Sequence, residues 1–423
     1  MTSKMQHGTR RNWFSVIRLR TATAALALAA VLVPGFVASP SADAPTLKAL
    51  HEFTGSPDGS EPVAGLARDS AGNLYGTTPQ GGASNVGTVF KLDTAGTETV
   101  LYGFTGEPDG ANPAAGLIRD ASGNLYGTTV EGGDTACSNP YGCGTVFKLD
   151  TAGNETVLYS FTGEPDGQFP YAGLVRDSAG NLYGTTLFGG DASCGNPFGG
   201  GGCGTVFKLD TAGTETVLYS FTGDPDAANP YADLVIDSAG NLYGVTYYGG
   251  DGTACSLGGF GCGTVFKLDK AGKETVLHSF GVGTDGANPY AGLVRDSGGN
   301  LYGTTTDGGV YGLGIVFKVD AAGTETVLHS FTGEPDGANP AAGLVMDAAS
   351  TLYGTTAYGG AYGYGTVFKL TTTREERLLH TFLGEYDGRY PSAGLVRDSM
   401  GNLYGTTSAG GSANDGVVFE VTH

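Results

Sequence analysis

Short apolar and β-branched runs alternate with clusters of Gly, Asp, Asn and Ser along almost the whole chain. After residue 44 no segment shows the 3.6-residue period of a helix, so the pattern predicts strands bounded by turns. One run organises the rest. Asn73-Leu74-Tyr75-Gly76-Thr77-Thr78 returns at Asn124, Asn181, Asn241 (with Val245 for the first Thr), Asn300, Thr351 and Asn402, at intervals of 51, 57, 60, 59, 51 and 51 residues. A recurrence of this length signals a repeat architecture. Each unit reads as four strands; in the third they fall at residues 172–177, 181–186, 205–210 and 215–221. Four antiparallel strands repeated radially describe a β-propeller blade, so the expected fold is all-β, a seven-bladed propeller. The last unit stops one strand short at residues 417–421, and the missing run stands near the other terminus, residues 47–53. The N-terminal strand is therefore expected to complete the last blade and to close the ring without open sheet edges.

The domain plan is correspondingly simple. Residues 1–44 read as an export signal: Lys4, Arg10, Arg11, Arg18 and Arg20 precede an Ala/Leu/Val-rich run that ends in small residues. Arg10-Arg11 loosely resembles a twin-arginine signal, the general secretory route is the alternative, and the cleavage point is open. Residues 45–423 form a single propeller domain, expected to be monomeric, with no later segment able to span a bilayer as a helix. With no anchor or sorting segment before His423, release to the periplasm or medium is expected. Gly contributes 75 of 423 residues without a collagen period and serves as punctuation between strands. The formal charge is −20; the leader contributes +4, leaving −24 on the remainder. Such acidity repels phosphate backbones and anionic lipid and argues against nucleic acid as a partner.

Candidate chemistry concentrates in one connection. The turns after the first and third strands are short, uniform and built on Asp and Gly. The connection between second and third strands is longer by 6, 9 and 8 residues in blades two, three and four, and variable loops on a uniform scaffold are where binding usually resides. These loops carry Tyr141, Phe188, Phe198, Tyr247, Tyr248 and Phe260 with Asp134, Asp191 and Asp251, a set suited to stacking on a glycan or packing on a protein. All the cysteines lie there in local pairs, Cys137/Cys143, Cys194/Cys203 and Cys255/Cys262, which in an exported chain favours disulfides.

Repeated residues suit structure better than catalysis. His51, His278, His329 and His380 share one outer-strand position with Tyr102, Tyr159 and Tyr219, so they are spread around the rim and cannot converge on a metal. Asp58, Asp109, Asp166, Asp226, Asp285, Asp336 and Asp387 read as turn residues and no cofactor is expected; the alternative is Ca²⁺ ligation, for which one Asp per loop falls short of the usual six to eight oxygens. Arg68, Arg119, Arg176, Arg295 and Arg397 are expected to pair with neighbouring carboxylates. Covalent or acid–base catalysis needs an asymmetric set, and none is visible.

The succession GNLYGTT, GG, GTVFKLD, ETVLHSFTG resembles a bacterial tandem repeat, the Gloeobacter/Verrucomicrobia or GloVer repeat, over nearly all of residues 46–421. The resemblance implies exported, propeller-like arrays and no particular activity. The expected function is a non-enzymatic binding or scaffold module, with a glycan or protein held on the loop face near blades two to four. The alternative is a polysaccharide hydrolase or lyase with acids at the mouth of the ring.

Overall fold

A computed structural model describes residues 45–133, 137, 140–194, 201–251, 260–281 and 283–422; the leader lies outside it. The described chain is all strand and turn, arranged as seven four-stranded antiparallel sheets, the blades of a propeller. Blade one runs Ala67–Arg68, Leu74–Thr78, Thr88–Leu92 and Glu98–Gly103 from the axis outward.

The ring closes as the terminal sequences demand. Thr46–Glu52 pairs antiparallel with Val417–Thr422, from Thr46 opposite Thr422 to Glu52 opposite Val417, and becomes the outer strand of blade seven. A hydroxyl bond completes the circle between blades seven and one, with Thr406 Oγ1 donating to the Ala64 carbonyl at 3.2 Å. The same bond ties blade one to blade two, Thr77 to the Ala115 carbonyl at 2.9 Å.

Blades are held together by aromatic burial. The Phe that follows each outer strand meets the third-strand Phe of the next blade edge to face: Phe53–Phe90 and Phe161–Phe207 at 5.1 Å, Phe382–Phe419 at 5.2 Å. Such pairs contribute about 0.5–1.5 kcal/mol beyond their buried area. Space for each third-strand ring comes from the glycine of the second strand. A Cβ on Gly184 would lie 2.7 Å from Phe207 Cζ and 3.1 Å from Leu174 Cδ2, so no larger residue fits.

The first and third turns shape one face of the disc. Asp69 accepts the Ala71 and Asn73 N–H groups at 3.0 and 2.9 Å, an Asx turn repeated in other blades. The Tyr75 hydroxyl donates to the same carboxylate at 3.1 Å. The arginines depart from expectation here. Arg68, Arg119, Arg295 and Arg397 lie over the tyrosine ring of the preceding blade, as with Arg119 over Tyr75 at 5.9 Å and Arg295 over Tyr243 at 5.5 Å. Arg68 also reaches Asp398 at 4.0 Å, but the ring is the commoner partner because the tyrosine hydroxyl already occupies the turn carboxylate.

At the start of the outer strands, Glu98, Glu155, Glu215, Glu274 and Glu376 are pushed up to about 7, chiefly by desolvation. For the first four, the nearby Asp58, Asp109, Asp166 or Asp226 adds to the shift. A carboxyl whose folded pKa exceeds its unfolded one destabilises the fold once ionised. The penalty is complete above the folded value and vanishes as pH falls towards the unfolded value. The melting temperature should therefore rise by roughly a few degrees from about pH 8 to about pH 5. Replacing these glutamates by Gln should flatten that slope in a melting series; blade seven already carries Leu47 at the position.

Candidate functional site

The opposite face carries the long connections, and short bridges lace them together. Each blade-to-blade loop pairs with the second-to-third-strand loop of the blade it enters, for example Ala111 with Glu131 and Gln168 with Phe188. The loop aspartates lock the turn between. Asp109 accepts from Thr105 Oγ1 at 2.8 Å and from the Tyr102 hydroxyl at 2.7 Å. Where Tyr is replaced by His the contact persists: His329 and His380 lie 2.9 and 3.0 Å from Asp336 and Asp387. His329 and His380 thus hold turns, each in its own blade, while His51 and His278 stand farther from Asp58 and Asp285, at 3.3 and 3.5 Å.

On the same face the chain turns inward through a left-handed residue before proline. Asn112, Asn229, Asn288 and Asn339 have φ of 58°, 56°, 57° and 51°, a region asparagine tolerates better than most residues. The Asn229 side-chain amide donates to the Leu187 carbonyl at 2.9 Å and Asn288 to Tyr247 O at 3.1 Å, fixing the bend. The residue after proline then projects at the mouth of the axial channel. It is Val63, Ala114, Tyr171, Tyr231, Tyr290, Ala341 and Ser392 in blade order.

Three adjacent blades therefore place tyrosines side by side. Tyr231 stacks on Tyr290 with ring centres 5.0 Å apart and planes 29° apart, and Tyr171 lies 5.7 Å from Tyr231 on the other side. Tyr247 closes the group at 5.5 Å from Tyr231 and carries Tyr248 edge-on at 4.7 Å. All are half-buried. Desolvation raises the pKa of every one of these hydroxyls, Tyr290 to about 12, so they are neutral donors at ordinary pH. The cavity beneath them measures about 1080 Å³. Its wall is Ala-Gly-Leu in six blades, as in Ala115-Gly116-Leu117, and Ala232-Asp233-Leu234 in blade four. The Asp233 carboxylate accepts the Gly173 N–H of the neighbouring blade at 2.5 Å. It meets channel solvent while protein surrounds it, and desolvation raises its pKa despite that bond.

The residues singled out from the loops are only partly drawn into this site. Tyr247 lines the cavity and Tyr248 packs edge-on against it; Tyr141 is 70% exposed and stands away from the cavity wall. Phe188 packs on Phe169 at 6.0 Å, and Phe260 is half-buried with its carbonyl accepting the Gly249 N–H at 2.6 Å. Asp191 takes the Ser193 N–H at 2.8 Å, a turn contact that lowers its pKa, and Asp251 is exposed. Asp134, Phe198 and Cys255 lie outside the described residues. Cys137–Cys143 and Cys194–Cys203 are disulfides with Cα atoms 5.8 Å apart, and Cys262 is disulfide-bonded too. Disulfides are the mark of a non-cytoplasmic protein. Among the described residues, no group of three or more His, Cys, Asp or Glu could hold a metal, and no helix is long and apolar enough to cross a membrane. Loop length drew attention to blades two to four, so the exposed Val310, Tyr311, Tyr358 and Tyr362 of the shorter loops in blades five and six were missed.

Fold and site together define a closed seven-bladed propeller with an aromatic-mouthed axial channel. The chain belongs to the Gloeobacter/Verrucomicrobia repeat family, which its residues 34–256 and 251–423 match. Among solved structures, a streptogramin B lyase is similar with a TM-score of 0.57 and 16% identity over 89% of this chain and 97% of that one. The extracellular domain of a protein assigned as a hybrid two-component system in B. thetaiotaomicron gives 0.54 and 14%, over 90% of this chain and 43% of that one. At such identities the likeness is one of fold. No curated protein matches the chain in sequence.

Proposed function

We propose that the protein is an exported binding propeller that holds a glycan at the loop-face mouth of its channel, on the tyrosines of blades three to five. The observation that carries this reading is the break in symmetry: Tyr171, Tyr231 and Tyr290 occupy one repeat position in three consecutive blades and in no other. Core or turn chemistry would be repeated all round, as Phe90 and Asp109 are in their equivalents. Half-buried aromatic faces with neutral hydroxyls match a sugar ring, which offers an apolar C–H face and a polar edge. The hydrolase or lyase reading draws no support from Asp191, whose carboxylate is engaged in its own turn.

Glycan-array and pull-down screening of the purified chain against a Tyr171→Ala/Tyr231→Ala/Tyr290→Ala variant tests the reading. These side chains are absent from the corresponding positions of other blades, so the variant should melt within a few degrees of the parent while losing glycan capture. Capture unchanged in the variant would refute the assignment.

A further inference from the structure

The channel mouth is aromatic on one side and anionic throughout. Among the described residues, no Lys, Arg or His lines the cavity, and the charged lining groups are Glu61, Asp233 and Asp307. Asp307 sits at the rim beside Tyr247 and Tyr248, where its charge contributes to their raised pKa values. Asp233 is the telling residue. Six blades have glycine at its position, where the backbones crowd the axis: a Cβ on Gly116 would lie 3.1 Å from the Gly65 carbonyl oxygen. Blade four admits a carboxylate there because the flanking blades keep Gly173 and Gly292, whose added Cβ atoms would come within 3.0 and 3.4 Å of Asp233 atoms. It stands directly after Tyr231-Ala232, in the middle blade of the three that carry tyrosine.

Asp233 is exposed to the channel, and the Gly173 N–H is the one described bond to its carboxylate, so further lone pairs face a ligand entering from the mouth. Aromatic faces attract cations, and desolvation strengthens that attraction. We infer that the ligand is cationic: a sugar carrying an ammonium group, with its ring on Tyr231 and Tyr290 and its charge directed to Asp233. This deepens the glycan reading and rests on it. A ligand bearing phosphate, sulfate or carboxylate would meet three like charges and is selected against.

The test uses two probes of the same chain length: an N-acetylglucosamine oligomer, which is neutral, and an N,N,N-trimethylglucosamine oligomer, which is permanently cationic. Titration calorimetry at neutral pH compares the parent with Asp233→Gly, Asp233→Asn and Tyr231→Ala. Asp233→Gly restores the residue of the other blades, so folding is secure, and melting curves verify it. The parent should bind the cationic probe about ten- to a hundredfold more tightly than the neutral one, and both Asp233 variants should bring the two affinities together. Tyr231→Ala should weaken both probes. Equal affinities in the parent, or a preference that survives Asp233→Gly, overturns the inference about charge. If the neutral probe then still binds in a Tyr231-dependent way, the glycan reading stands alone; if neither probe binds, the charge inference fails and this class of sugar is excluded.

Discussion

A chain that begins at residue 54 should lose its cooperative thermal transition and associate in solution, and a synthetic peptide of residues 46–53 should restore the transition. The truncation removes the outer strand of blade seven and exposes Val417–Thr422 as a new edge, a template for pairing between molecules. It also removes Phe53, which is fully buried against Phe90 of blade one. Loss of one such ring costs about 3–5 kcal/mol, comparable to the 5–15 kcal/mol that holds a typical domain together. The forfeited strand pairing is additional. Circular dichroism melts and size-exclusion chromatography give the readout. A truncated chain that stays monomeric with an unchanged midpoint would mean that the ring does not depend on its terminal strand.

Gly184→Ala should destabilise the protein by about 1–3 kcal/mol, although alanine is a small residue and the glycine has no left-handed backbone to protect. The new methyl would sit 2.7 Å from Phe207 Cζ and 2.9 Å from its Cε1, in a core where that ring is wholly buried. Relief must come from the ring. Phe207→Leu alone leaves a void and is destabilising, but combined with Gly184→Ala it should cost less than the two single changes added, with a coupling of roughly 0.5–3 kcal/mol. Urea titrations of the four proteins in the cycle measure it. Simple additivity would show that the glycine is kept for some reason other than space for the ring.

The architecture was legible because the repeat states it seven times. Short β-branched and aromatic runs, Asp/Gly turns and an outer strand found at the wrong end of the chain leave few topologies other than a closed wheel. The site was legible only in outline. Loop length and aromatic content singled out Tyr247, which lines the cavity, and Tyr248, which packs on it, together with Tyr141, Phe188 and Phe260, which do not line the cavity. Tyr171, Tyr231 and Tyr290 went unnoticed because they sit inside the conserved phrase that opens each blade, where a Tyr-for-Ala exchange resembles ordinary drift. The signal was nonetheless there: a column of the repeat that is tyrosine in three successive blades, with Gly exchanged for Asp233 two residues after the central one. In a near-perfect array, departures from the repeat that cluster in space deserve more weight than the repeat itself. The arginines met the expectation only at Arg68, which reaches Asp398. Pairing with carboxylate was the simplest electrostatic expectation, but the neighbouring tyrosine both covers the guanidinium and bonds the carboxylate, a three-body arrangement no spacing rule reveals.

The position of a bound ligand decides between these surfaces. The direct measurement is a crystal structure of the protein with an oligosaccharide captured in the screen. A sugar ring lying on Tyr231 and Tyr290 in the sector of blades three to five, with a polar group towards Asp233, is the predicted result. Density on the Asx-turn face, or at Tyr141 with the axial mouth left to solvent, would contradict it.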